Sequence, residues 1–180
     1  MVITASCAGQ YHFPIAPQYA AAKHALVGLT RSVGAKLMND DNIAVNAVMP
    51  AFIPTPLISQ ALKDAWPKEY ITPIATVTKG FMELIDDEGK VREGSDGKDG
   101  EVKAGCTVEC INDKLYYRKG VDSANENQQW LRDQAEAGGM WWTVYEQEGG
   151  VAQSMEEQDA DRKKKLDGAA TNNETANKVK

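Results

Sequence analysis

The stretch Tyr19-Ala20-Ala21-Ala22-Lys23 decides how the rest of the chain is read. A spacing of four on a helix puts the phenol and the ammonium on one face, one turn apart. A nearby cation favours phenolate and lowers a tyrosine pKa from its usual ~10 toward the working pH. Such a tyrosine can act as general acid or base for a carbonyl/alcohol pair. Upstream, Ser6 ends the apolar opening Met1-Val2-Ile3-Thr4-Ala5, where its hydroxyl can hydrogen-bond the same substrate oxygen. Taken alone, Tyr-x-x-x-Lys more often marks a half-buried ring beside a solvated amine, so its surroundings carry the weight.

Residues 1–6 form a β-prone run without polar alternation, the pattern of a strand buried on both faces in a parallel sheet. Termini normally lie at the surface, so Met1 reads as a truncation or a misassigned start. Residues 7–16 form a loop, and Pro17 suits the first turn of a helix running to about Met38. Asn39-Asp40-Asp41-Asn42 stops it, because these side chains compete for helical hydrogen bonds. Its small face of Ala20, Ala21, Ala22, Ala25, Gly28 and Ser32 permits close approach by another helix. The alternative is packing on its own sheet only.

Residues 43–49 give a second strand, ended by Pro50, with Asn46 as a satisfied core amide. Residues 56–71 are a candidate lid, whose Leu57, Leu62, Trp66 and Tyr70 suit a lipid-like substrate or, equally, a bland capping helix. Thr72-Pro73 opens a helix to about Asp86. Residues 87–103 are polar and glycine-rich and read as a mobile loop. Aspartates near Gly97 lack the twelve-residue pattern and closing glutamate of a calcium loop. Leu115-Tyr116-Tyr117 follows a turn at Asn112-Asp113. A helix is expected from Ser123 to Ala137, anchored by Trp130 and Leu131, then a strand or hydrophobic clasp over Met140–Tyr145. From Gly149 onward the chain is charged and poor in large apolar residues, so disorder is expected. The run Arg162-Lys163-Lys164-Lys165 beside Glu156, Glu157, Asp159, Asp161 and Asp167 reads as a solvated helix face rather than a docking site.

Ser6-Cys7-Ala8-Gly9, then Tyr19 to Lys23, then Asn42-Ile43-Ala44-Val45-Asn46-Ala47-Val48-Met49-Pro50-Ala51-Phe52-Ile53-Pro54-Thr55 come in that order. Together they resemble the C-terminal half of the short-chain dehydrogenase/reductase family. Lys23-His24-Ala25-Leu26-Val27-Gly28-Leu29-Thr30-Arg31-Ser32 is most similar to its 15-hydroxyprostaglandin dehydrogenase-like branch of fungal type. The likeness is strong over residues 1–57 and thins to about residue 120, where 104–111 resembles the family's last core strand.

The resemblance implies an α/β fold: an incomplete Rossmann-like doubly wound parallel sheet, C-terminal strands and helices only, with a largely disordered C-terminal tail. It makes residues 1–120 the C-terminal part of an NAD(P)-binding domain; the sequence pattern then sets off 121–148, an extra helix or strand of unknown role, and 149–180, the tail. It implies NAD or NADP as cofactor and a secondary alcohol or ketone as substrate. Tyr19 would exchange a proton with the substrate oxygen, Lys23 would lower the tyrosine pKa and bind nicotinamide-ribose hydroxyls, and Ser6 would orient the oxygen. Pro50, Ala51, the backbone of Ile53 and the hydroxyl of Thr55 would line the nicotinamide. The family usually has glycine where Ala51 stands, and alanine lacks glycine's access to positive φ. In the family the Tyr19–Met38 helix packs in a subunit interface, which implies a homo-oligomer.

No G-x-G-x-x-G phosphate loop occurs in the sequence. Two readings follow. One is an NAD(P)-dependent oxidoreductase carrying only its C-terminal half here; the other is a non-catalytic remnant acting through protein association. The isolated chain is expected to bind NAD(P) poorly, to expose an apolar strand edge and to be marginally stable.

Composition fits this frame. A net charge of −6 and a pI near 5.0 argue against a nucleic-acid partner. No apolar run approaches the ~18–20 residues of a membrane span, and no basic-then-apolar leader opens the chain. Cys7, Cys106 and Cys110 have neither the spacing of a metal site nor that of a disulfide framework, so reduced thiols and a cytoplasmic address are expected. Cys7 as a nucleophile lacks a histidine at a telling spacing, since His12 and His24 are the only two.

Overall fold

In the computed structural model the structure describes residues 1–85, 100, 102–136, 138–147 and 163. The chain divides into two compact units, Met1–Val121 and Asp122–Lys180. The first is α/β. Strands β1 (Val2–Thr4), β2 (Asn46–Pro50), β3 (Thr107–Ile111) and β4 (Lys114–Arg118) form one sheet in that order. β1, β2 and β3 are parallel, and β4 returns antiparallel to β3 through a turn in which Asn112 takes the left-handed conformation (φ 51°). Helix α1 (Pro17–Asp41) crosses from β1 to β2; α2 (Gln60–Ala65) and α3 (Ile74–Ile85) lie between β2 and β3.

β2 is the centre of the core. Asn46 through Met49 are fully buried, as a parallel strand covered on both faces requires. Its side chains alternate between two layers. Ala47 and Met49 pack with Ala5 and Val27 of α1, while Val48 packs with Val77 and Leu84 of α3 and with Val108 and Cys110 of β3. Helices therefore cover opposite faces, the doubly wound arrangement. Asn46 is the satisfied core amide expected: its Nδ2 donates to the Lys103 carbonyl (2.8 Å) and its Oδ1 accepts from Cys106 N (2.9 Å).

Several boundaries differ from the sequence reading. β1 is shorter than residues 1–6 and only partly buried: Val2 packs on the α3 side and Ile3 on the α1 side, while its outer edge has no neighbouring strand among the described residues. α1 runs to Asp41 rather than Met38, because Asn42 supplies the left-handed cap (φ 55°) on its own. β2 starts at Asn46 rather than at Ile43, although Val45 O already accepts from Gly105 N (2.8 Å). Lys103, placed in the polar loop, is buried: its ammonium donates to the Glu83 carbonyl (2.6 Å) and sits 3.6 Å from the Glu83 carboxylate. The rest of that loop, the calcium comparison included, lies outside the described residues but for Gly100 and Val102, and so does the tail but for Lys163.

In the second unit, α4 (Glu126–Ala135) starts later than Ser123, where Asn125 Oδ1 accepts from Gln128 N (2.9 Å). Trp130 is half exposed rather than an anchor. Met140–Gln147 is a helix, α5, and not a strand or clasp: Gly138 (φ 84°) reverses the chain, and Gln134 Oε1 receives the Met140 N–H (3.2 Å).

Cys110 supplies a test of the α3-side core. Burial, then the Glu109 carboxylate, push its thiol from 9.0 up to about 11. The folded chain thus holds this proton more tightly than the unfolded chain. The resulting stability is fully present below about pH 9 and is lost as pH rises through about 11, amounting to roughly 2 kcal/mol by pH 10.5. Urea midpoints across this range should fall for the parent and fall less for Cys110→Ala; parallel profiles would refute the assignment.

Candidate active site

The carboxyl ends of β1 and β2 lie side by side, with Thr4 in register with Val48 and Ala5 N donating to Val48 O (2.8 Å). Ser6 leaves β1 and Pro50 closes β2 on this same edge, where open parallel sheets place their ligands. Ser6 is buried (8% exposed) and caps a single tight helical turn, Cys7–Gly9. Its Oγ accepts from Ala8 N at 3.2 Å, and among the described residues its proton meets only the Cys7 sulfur, at 4.0 Å. A hydroxyl so weakly engaged as a donor retains its proton for another oxygen.

The turn rests on α1 through Gly9. A Cβ there would lie 2.6 Å from the Lys23 carbonyl oxygen and 2.9 Å from Val27 Cγ2, so only glycine allows this approach. α1 begins with Pro17 at its first position, where no N–H is needed. One turn on, Tyr19 is 44% exposed, its ring edge-on to Phe13 with centroids 6.3 Å apart. The Lys23 ammonium stands 5.5 Å from the centre of the Tyr19 ring and donates to the Thr4 carbonyl at 3.0 Å. Lysine and tyrosine are therefore neighbours on one helix face, and the ammonium is pinned to the end of β1.

On the β2 side, Ala51 N donates to Cys110 O (3.0 Å) and Thr55 N to Ile53 O (2.8 Å). The non-glycine residues with positive φ among the described ones are Asn42 and Asn112, so Ala51 needs no glycine-like backbone. Pro50, Ala51, Ile53 and Thr55 thus follow the strand that neighbours Ser6. The segment beyond is closed at its base by Thr72 N donating to Phe52 O (2.9 Å) and by Phe52 stacked on Trp66 (3.9 Å, 7°).

The donor set suits a nicotinamide nucleotide. Lys23 spends one N–H on Thr4 and retains donors for sugar hydroxyls, and Thr55 offers a hydroxyl beside the Ile53 backbone. Cys7 does not join the chemistry: burial, ahead of the opposing Ser6 contact, raises its thiol above the ordinary value and keeps it protonated.

Sequence reading missed a polar cluster beneath the turn. Glu109 is fully buried; its Oε2 accepts from Arg118 Nε (2.5 Å) and from the Tyr11 hydroxyl (3.1 Å), and Arg118 Nη2 donates to the Tyr11 oxygen (2.6 Å). Arg31 Nη2, from α1, donates to Gln10 Oε1 and Thr107 Oγ1, both at 3.0 Å. The signal was present: Thr107 and Glu109 alternate with Val108 and Cys110, so a core strand was bound to turn a carboxylate inward, which calls for a cation.

Comparison with known proteins agrees with this geometry. Residues 1–66 match the family model for short chain dehydrogenase. The chain is 32% identical over 117 residues to short-chain dehydrogenase/reductase prx6 of Penicillium rubens, covering 65% of this chain and 35% of that protein. It is 30% identical over 123 residues to prx7 of the same fungus, covering 66% and 43%. Bovine 15-hydroxyprostaglandin dehydrogenase [NAD(+)] is 38% identical over 89 residues, covering 40% and 33%. The matched region thus spans between a third and under half of these relatives' length. Residues 1–66, which hold β1, α1 and β2, are thus the part of the chain that matches the short-chain dehydrogenase/reductase family.

Proposed function

We propose that the chain supplies the catalytic half of a dehydrogenase acting on a secondary alcohol or ketone. Residues 1–120 would be the C-terminal part of the NAD(P)-binding domain, with 121–148 an addition to it. The observation that carries the reading is the Lys23 ammonium, bonded to the Thr4 carbonyl at the end of β1 and 5.5 Å from the Tyr19 ring.

Tyr19 exchanges a proton with the substrate oxygen through its phenol. Ser6 donates its hydroxyl proton to the same oxygen and orients it, its own lone pair already engaged by Ala8 N. Lys23 keeps positive charge beside the phenol and donates to ribose hydroxyls. Thr55 and the Ile53 backbone hold the carboxamide, and Pro50 and Ala51 form the wall behind it. A bound NAD or NADP supplies the hydride acceptor or donor.

The test joins the chain to the glycine-rich nucleotide-binding part of a family member, because no such loop occurs in this sequence. Secondary alcohols should then drive NADH or NADPH formation. Failure across a broad alcohol and ketone panel, in a chimera shown to be folded, would favour the non-catalytic remnant instead.

Association through α1 is part of the same proposal. Ala21, Ala22, Ala25, Gly28 and Ser32 are exposed on the helix, whereas Ala20 faces inward. A Cβ at Gly28 meets nothing within 4 Å. Gly28→Trp should therefore leave the subunit folded but shift sedimentation toward monomer; an unchanged oligomer would place the interface elsewhere.

A further inference from the structure

The turn that carries Ser6 is held from both ends. At its start, Gly9 N donates to Ser6 O (2.8 Å) and Ala8 N to Ser6 Oγ (3.2 Å). At its finish, Gln10 N and Tyr11 N both donate to the Cys7 carbonyl (2.9 and 3.0 Å). The backbone alone gives one short turn, and a turn of this length is not self-supporting. What anchors it lies about a hundred residues downstream. The Tyr11 hydroxyl donates to Glu109 Oε2 on β3 and accepts from Arg118 Nη2 on β4, and Gln10 accepts from Arg31 on α1.

The β3–β4 hairpin lies beyond residues 1–66, the part matched by the family model. We propose that it has a role in the reaction: Tyr11, gripped by the Glu109–Arg118 pair, is a positioning residue that sets where the Ser6 hydroxyl points. The proposal rests on the dehydrogenase reading for its effect on rate, but not for its effect on the turn.

The chemistry of the grip supports a fixed rather than a loose contact. Glu109 is fully buried, so its charge needs the Arg118 cation on it, and the Tyr11 hydroxyl adds a second donor to the same oxygen. Burial and the neighbouring carboxylate raise the Tyr11 phenol above its ordinary value, so it stays a donor across the physiological range. Arg118 is raised by its hydrogen bond to Glu109, which outweighs the opposing effect of burial, and stays a cation. Thr107, two residues from Glu109 on the same strand face, ties the other side of the cluster by donating to the Arg118 carbonyl (2.8 Å) and accepting from Arg31. One hairpin thereby reads its own register into the turn.

Tyr11→Phe retains the ring and removes only the hydroxyl. In the full chain, amide hydrogen exchange at Ala8 to Tyr11 should quicken about tenfold, the loss of one charge-assisted bond, while the Ala47 and Val108 amides keep the parent rate. Arg118→Lys, which keeps a cation for the buried Glu109 carboxylate, should quicken the same turn amides by less than Tyr11→Phe does. In the chimera, kcat for the alcohol should fall about tenfold with the cofactor KM unchanged. Unaltered exchange at the turn overturns the proposal. So does uniform acceleration through β2 and β3, which would make Tyr11 a support of the whole fold. Faster exchange with kcat and KM both unaltered overturns the positioning role, since the turn would be anchored without directing Ser6. If the parent chimera shows no turnover while exchange behaves as stated, the dehydrogenase reading falls and the anchor stands.

Discussion

Gly34→Ala is expected to cost about 3 kcal/mol or more, a large share of a total stability that is ordinarily ~5–15 kcal/mol. α1 crosses the lead-in to β3 at this glycine. A Cβ on Gly34 would overlap Gly105 N and Cα and would lie 2.9 Å from the Ala104 carbonyl carbon. These are backbone atoms, so no side chain can swing aside. Gly105 cannot retreat either, since its N–H donates to Val45 O (2.8 Å) and its φ of 77° is one that alanine resists. Moving the strand would break the Asn46 bonds to Lys103 O and Cys106 N. Gly28, on the same helix, is the control: a Cβ there meets nothing within 4 Å inside the subunit, so in the monomer alanine should add about 1 kcal/mol through helix propensity. Urea midpoints of the two variants should move in opposite directions, and a Gly34→Ala midpoint equal to the parent's would sink the close-crossing argument.

The contrast between those glycines shows what a sequence yields and what it withholds. Both sit in the small-residue pattern of α1, and nothing local separates the one that meets a backbone from the one that meets nothing within its own subunit. The parallel core strand was legible because burial on both faces writes itself as an unbroken apolar run, Ala47-Val48-Met49. The Tyr19–Lys23 pair was legible because helical spacing is a local property. The hairpin turn at Asn112-Asp113 was too, since asparagine tolerates the left-handed conformation it adopts. The Tyr11–Glu109–Arg118 grip was not, because its members are far apart in the chain and meet only when β3 and β4 pair. Lys103 escaped for a related reason. A lysine among glycines and charges reads as solvated, and only the packing of α3 brings the Glu83 carbonyl and carboxylate to it. α5 was misjudged because its Trp-Trp-Thr-Val-Tyr sequence is β-prone, while the reversal at Gly138 and the capping bond from Gln134 decide for helix.

Tyr19→Phe should lower kcat in the chimera by roughly 10²–10⁴-fold, which is about 3–5 kcal/mol of barrier. The substitution is the cleanest available at this site. Phenylalanine retains the edge contact with Phe13 and the face over which the Lys23 ammonium sits, so the helix start and the Lys23–Thr4 bond persist. Ser6→Ala would instead remove the acceptor for Ala8 N and disturb the turn, and Lys23→Met would free the end of β1. Either of those could lose activity for structural reasons. In Tyr19→Phe only the phenol oxygen disappears, so the loss should appear in kcat, with cofactor binding close to the parent's and urea stability unchanged. Equal rates for parent and variant would mean that whatever turnover exists does not pass through this phenol. The aligned Ser6, Tyr19 and Lys23 would then be the inheritance of a fold rather than the machinery of a reaction.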